Sequence, residues 1–319
     1  MTPAPRVFAS LAALAVIACE SPGSGADNAL APRVGGIQAM SFANSEWSAP
    51  VNLGPAINST ATDNHAAISK DGLSLYLASN RVGGIGNNDI WVSQRACADC
   101  PWETPVNVAV LNSSASDVGP ELSDDERLLF FSSARPGGAG DNDIYVSHRA
   151  DRKNDFGWDP PQRLGADVNT ASAENMGDYL RGNIYFNRQP LAGTGDLYYA
   201  PVTRDGETQG PAVLIVELSD PLANDVSPTV RFDEREIFFA STRAGSIGLN
   251  DVWVSTRRSP NDPWSTPENV GPVNSVLNEL TPSLSPDGRI LLFDSDRPGG
   301  VGGRDIYMST RTPSGKEAP

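Results

Sequence analysis

From Trp47 onward the apolar residues fall into short runs, each closed off by Gly, Pro, Asp or Ser, which is the pattern of strands joined by tight turns. The clearest instance lies near the C-terminus. Leu280-Thr-Pro-Ser-Leu-Ser reads as one strand and Ser285-Pro-Asp-Gly288 as a turn, with the glycine suited to positive φ. Arg289-Ile-Leu-Leu-Phe-Asp-Ser295 is a second strand, a glycine-rich loop follows, and Asp305-Ile-Tyr-Met-Ser-Thr-Arg311 is a third. A fourth strand signal is Trp-x-x-Pro, at Trp47, Trp102, Trp158 and Trp264; the remaining copy has no Trp and reads Pro211-Ala-Val-Leu-Ile-Val-Glu217. Proline there suits an outer edge strand, where one side needs no ladder donor.

The unit is written five times. An Arg followed eight residues later by Asp, an aliphatic and an aromatic residue recurs as Arg81/Asp89, Arg135/Asp143, Arg188/Asp196, Arg243/Asp251 and Arg297/Asp305. Successive Asp positions lie 54, 53, 55 and 54 residues apart. A fixed long period built of strands predicts radial repetition, a propeller, rather than a helical solenoid. The chain enters on a fourth-strand signal at Trp47 and leaves after a third strand at Arg311, so the first strand must complete the last blade. That closes the ring and protects its edges. The 265 residues from 47 to 311 give 53 per blade. The expectation is an all-β, five-bladed propeller over residues 46–312, with four antiparallel strands per blade, about twenty strands and almost no helix.

The run Leu-Ser-Pro-Asp-Gly-x-x-x-Leu-Phe-x-Ser-x-Arg (Leu284–Arg297) resembles the WD-repeat-like, PD-repeat blades of the TolB family, and blades found beside OmpA-type domains in bacterial envelope proteins. The resemblance covers the 265 repeat residues and implies a propeller that works by binding. TolB's additional N-terminal domain has no counterpart here, and five blades are read rather than six, so TolB's partners do not transfer.

Ahead of the repeats lies an address. Val7 to Ala18 is an apolar run too short to span a bilayer but suited to a signal-peptide core. It ends Val16-Ile17-Ala18-Cys19, which resembles a bacterial lipobox; the alternative is an ordinary secretory signal with a chance cysteine. The lipobox reading makes residues 1–18 the signal and Cys19 the lipidated N-terminus, with residues 19–45 a flexible tether and 313–319 a disordered tail. Glu20 next to the cysteine favours the outer membrane. The protein is then a monomer in the cell envelope, touching the membrane through its lipid anchor only. With 24 Lys+Arg against 39 Asp+Glu, a formal charge of −15, nucleic acid is excluded as a partner.

The candidate chemistry is sparse. Cys97-Ala-Asp-Cys100 reads as a small-loop disulfide, because two distant histidines cannot complete a zinc site and no helix follows for a thioredoxin-type pair. The five Arg/Asp pairs flank one hairpin loop each and read as charge-assisted structural latches. A second ring, Asp63, Asp117, Glu174, Asp225 and Glu279, precedes the innermost strands and is expected at one mouth of the central channel. Those carboxylates either hold a cation or cationic ligand, or cap turns. A calcium site is conceivable only at Asp141-Asn-Asp143, and no other metal or cofactor is implied. His65 is specific to its blade and sits near the predicted mouth. Glycine-rich loops between strands offer no helix N-terminus for phosphate, and no Gly-x-Ser-x-Gly is present. The functional expectation is a non-catalytic module that binds an envelope protein or cell-wall glycan. The alternative is a carbohydrate-active hydrolase using Asp63, Asp117 and Glu174.

Overall fold

The computed structural model describes residues 40–41, 46–313 and 315–316. The signal segment, Cys19 and nearly all of the expected tether lie outside the described residues. Five sheets of four antiparallel strands surround one axis. Blade 1 is built from β3 (Asp63–Ile68), β4 (Ser74–Ser79), β5 (Asp89–Gln94) and β6 (Val106–Asn107). Blade 2 is β7 (Asp117–Leu122), β8 (Leu128–Ser133), β9 (Asp143–His148) and β10 (Gln162–Arg163), and blade 3 is β11 (Ala173–Leu180), β12 (Asn183–Gln189), β13 (Asp196–Pro201) and β14 (Val213–Leu214). Blade 4 is β15 (Asp225–Val230), β16 (Glu236–Ser241), β17 (Asp251–Thr256) and β18 (Glu268–Asn269). Blade 5 joins β19 (Glu279–Leu284), β20 (Ile290–Ser295) and β21 (Asp305–Thr310) to β2 (Val51–Asn52) from the front of the chain. The expected closure is therefore present, with Val51 opposite Met308 and Asn52 opposite Tyr307. A separate pair, β1 (Met40–Ser41) with β22 (Gly315–Lys316), falls within the segments read as tether and tail.

Each core lies between neighbouring blades. The second strands are apolar on both faces because each is covered by a sheet on either side. Tyr76, Phe131 and Trp158 fill the space between blades 1 and 2, and Phe130 and Phe186 the space between blades 2 and 3. Trp47, Phe238 and Phe293 do the same between blades 4 and 5. The outer strands are two residues long and begin just after the proline of Trp-x-x-Pro, so the motif leads into the edge strand rather than forming it.

Every innermost strand carries a bulge. His65, Ser227 and Thr281 take positive φ there, as does Gly119 in blade 2, while in blade 3 the register shift falls between Met176 and Asp178. A bulge at this radius bends the strand around the crowded axis.

Candidate functional site

The loops between second and third strands, together with those leading into the next blade, form one face of the ring, here called the upper face. The acidic ring lies beneath it and does not open to a channel mouth. Asp63, Asp117, Glu174, Asp225 and Glu279 are all fully buried at the first or second position of their innermost strands. Each holds the arginine of its own blade: Arg81–Asp63, Arg135–Asp117, Arg188–Glu174, Arg243–Asp225 and Arg297–Glu279, at 2.5 to 2.9 Å. The same carboxylates accept the loop N–H four or five residues upstream, for example Ser113 N at 2.6 Å. The guanidinium also donates to a carbonyl in the entering loop, such as Leu111 O at 2.7 Å, and lies over an aromatic ring of its blade. Of the two roles open to the acidic ring, the arrangement is that of turn capping and internal pairing. The three proposed catalytic acids, Asp63, Asp117 and Glu174, are among these occupied groups.

The expected latch partners are corrected by the same bonds. In no blade does the arginine pair with the aspartate eight residues on. Asp89, Asp251 and Asp305 instead turn into their glycine loops, where each accepts two backbone N–H groups, including Gly86, Gly248 and Gly302. They also accept the edge-strand amides of Asn107, Asn269 and Asn52. Asp143 accepts Ala139 N at 2.5 Å, while Asp196 is only partly buried, with its carboxyl raised by that burial. These loops press on the next blade: a Cβ on Gly248 would lie 2.1 Å from Leu277 O. Among the described residues no cluster of three His, Cys, Asp or Glu converges as metal ligands, and Asp141 is exposed beside the buried Asp143.

His65 reaches the axis from blade 1. Its backbone N–H donates to Thr281 Oγ1 at 3.2 Å, and Thr281 donates to Asp294, which also takes Arg304 at 2.9 Å. Burial pushes the imidazole down to about 4, so it is neutral at physiological pH. At the opposite, lower end of the axis, Glu121 and Asp178 line a small cavity of about 60 Å³ with Lys70, Asp124 and Glu126. Burial raises both carboxyls, Asp178 to about 7 and Glu121 well above its ordinary value. Asp178 accepts Tyr179 N, Val230 N and Thr229 Oγ1, and these bonds to its ionised form oppose the effect of burial.

Two repeated devices escaped the sequence reading. Arg95, Arg149, Arg257 and Arg311 end third strands, lie over Trp102, Trp158, Trp264 and Trp47 at 4.1 to 4.5 Å, and donate through Nε to the turn of their own blade. Blade 3 lacks both partners. The signal was available, since Ser-x-Arg after the third strand and Trp-x-x-Pro are present or missing together. Likewise Asn58, Asn112, Asn169 and Asn274 each clip a third strand by bonding both N–H and C=O of one residue, such as Ile144. Cys97 and Cys100 form a disulfide with Cα atoms 5.0 Å apart in a lower-face loop.

Of the fourteen exposed large hydrophobic residues among the described residues, ten stand on upper-face loops: Val82, Ile85, Val110, Leu191, Val216, Leu222, Ile247, Leu249, Val276 and Val301.

No model of a known protein family and no curated protein matches the chain. Solved structures do. A GH43_1 enzyme from Xanthomonas citri is 16% identical with a TM-score of 0.57, covering 85% of this chain and 97% of that one. The α-L-arabinofuranosidase from Podospora anserina is 13% identical with a TM-score of 0.51, covering 84% and 98%. TolB from Acinetobacter baumannii is 15% identical with a TM-score of 0.46; the match covers 80% of this chain and 56% of that protein. At such identities the likeness is one of fold: the chain is a five-bladed propeller.

Proposed function

We propose that this chain is a non-catalytic, lipid-anchored envelope protein whose propeller binds an envelope protein or cell-wall glycan through its upper face. The carrying observation is the gathering of ten exposed aliphatic side chains on the loops of that one face. Such patches on an otherwise polar surface mark interaction sites, and loops on a rigid scaffold are where recognition concentrates. The anchor at Cys19 would hold the propeller near the membrane.

The hydrolase reading draws on the likeness to the GH43_1 enzyme and the α-L-arabinofuranosidase, but its three candidate acids are fully buried and ion-paired. The deciding experiment couples capture from envelope extract with a glycan panel. Val82→Asp with Leu222→Asp is expected to abolish capture at unchanged melting temperature. Release of sugar from any glycan by the unmodified chain would overturn the reading, as would full capture by the double variant.

A further inference from the structure

A groove of about 750 Å³ opens on the lower face of blade 4, walled by Arg231, Arg235, Arg257, Arg258, Glu236 and Trp264. We propose that this groove is a second binding site, distinct from the upper face, which takes an acidic peptide segment of a partner protein.

Blade 4 departs from blades 1, 2 and 5 at two of these positions, while blade 3 shares an arginine, Arg181, at the first of them. Blades 1, 2 and 5 open the turn after the innermost strand with Ser69, Ser123 and Ser285; blade 4 has Arg231. Ala96, Ala150 and Thr312 follow the Trp-stacked arginine in the same three blades; blade 4 has Arg258. The turn itself does not need the change, because each serine bonds the aspartate two residues on, and Arg231 makes the same link to Asp233 through Nε at 2.7 Å. Both replacements bring a guanidinium to one concavity.

Four arginines line the groove against Glu236 and Asp262 in a chain of net charge −15, while Asp233 and Glu234 pair with Arg231 and Arg257 behind that lining. Its guanidiniums are held in place beforehand. Arg231 reaches Asp233 and Glu236, Arg257 lies 4.1 Å over Trp264, and Arg311 of blade 5 bonds Glu236 at 2.6 Å behind the wall. A restrained fork loses little entropy on meeting a carboxylate. Arg258 is exposed at the rim. Arg is also among the side chains that most often anchor protein interfaces.

Peptide fits better than the other anionic classes. Glu236 and Asp262 in the wall repel a multiply charged phosphate more than single carboxylates spaced along a backbone. A sugar ring needs an open aromatic face, whereas Trp264 is only 9% exposed and covered by Arg257.

The test is fluorescence anisotropy of the full chain with fluorescein-labelled hexaglutamate, with polygalacturonate and inorganic phosphate as competitors. We expect saturable binding that weakens with salt, and a loss of about fivefold or more in affinity for Arg258→Ala and for Arg231→Ser. Arg231→Ser installs the residue that blades 1, 2 and 5 carry, so an unchanged melting temperature checks the fold. Absence of hexaglutamate binding at low salt, undiminished binding by both variants, or tighter binding of polygalacturonate or phosphate would each overturn the proposal. Leu222→Asp on the upper face should leave peptide binding intact, and loss in that variant would also count against it. Failure here leaves the upper-face reading standing.

Discussion

Arg135 and Asp117 show what a single residue contributes to this ring. The carboxylate is fully buried, and the arginine is its counter-ion as well as a donor to the entering loop. Removing the cation alone strands a buried charge, so Arg135→Ala should cost about 3–5 kcal/mol in denaturant unfolding. The reciprocal Asp117→Asn keeps most of the loop bonds and should cost less. The arginines and both sets of carboxylates were legible as repeats, yet the pairing was not. Ladder register explains why: Asp63 and Asp89 both stand opposite Ser79, one on each side, and Arg81 lies two residues beyond it. Spacing along the chain cannot say to which flank the side chain turns. The choice follows from hydrogen bonding: both oxygens of Asp89 are filled by loop N–H groups, whereas Asp63 accepts Ser59 on one oxygen and keeps the other for the guanidinium.

At the scale of elements, strands and turns were readable because period-two patterning and Pro-Asp-Gly turns are local. What joins one element to another was less so. The Arg–Trp stacks link residues from seven to nine positions apart within a blade, but Trp47 meets Arg311 across the whole chain. A second connection is the loop between β9 and β10, which carries Asp155 back onto blade 1. Burial pushes the Asp155 carboxyl up, but hydrogen bonds from Ser74, Arg149, Tyr76 and Gln94 outweigh it and hold the group below its ordinary value. A depressed carboxyl stabilises the fold above the unfolded value, near 3.9, and that stability is lost as pH falls through the folded one. Asp155→Asn should therefore lower stability at neutral pH and flatten the acid limb of a stability–pH curve measured by urea unfolding. The lower-mouth pair has the opposite sign. Glu121 and Asp178 are raised, so each contribution is full below the unfolded carboxylate range and is lost as pH rises through the folded value, about 7 for Asp178. Glu121→Gln should be more stable than the parent at pH 8 and nearly equal to it at pH 4, read by chemical denaturation at both.

For the whole molecule, closure is the property on which the rest depends. β2 supplies the last edge, and Trp47 meets Phe238 of blade 4 edge-on at 5.8 Å while lying under Arg311. Trp47→Ala should cost about 3–5 kcal/mol and lower the midpoint of a single cooperative thermal transition. Deleting residues 46–52 should leave an exposed third strand and a chain that aggregates, which light scattering would detect.

The five sectors are not equally fastened. Blade 3 has no guanidinium–indole stack, its following loop offers Ser219 and Asp220 where others have Asn-Ser or Asn-Thr, and its loop aspartate is partly exposed where the other four are buried. A hoop strained by heat or denaturant parts at its weakest stave, and here that stave is not the one where the two ends of the polymer were joined. Amide hydrogens of Leu197 to Ala200 should accordingly exchange with deuterium before their counterparts in the terminal sector, so that opening starts on the far side from the seam.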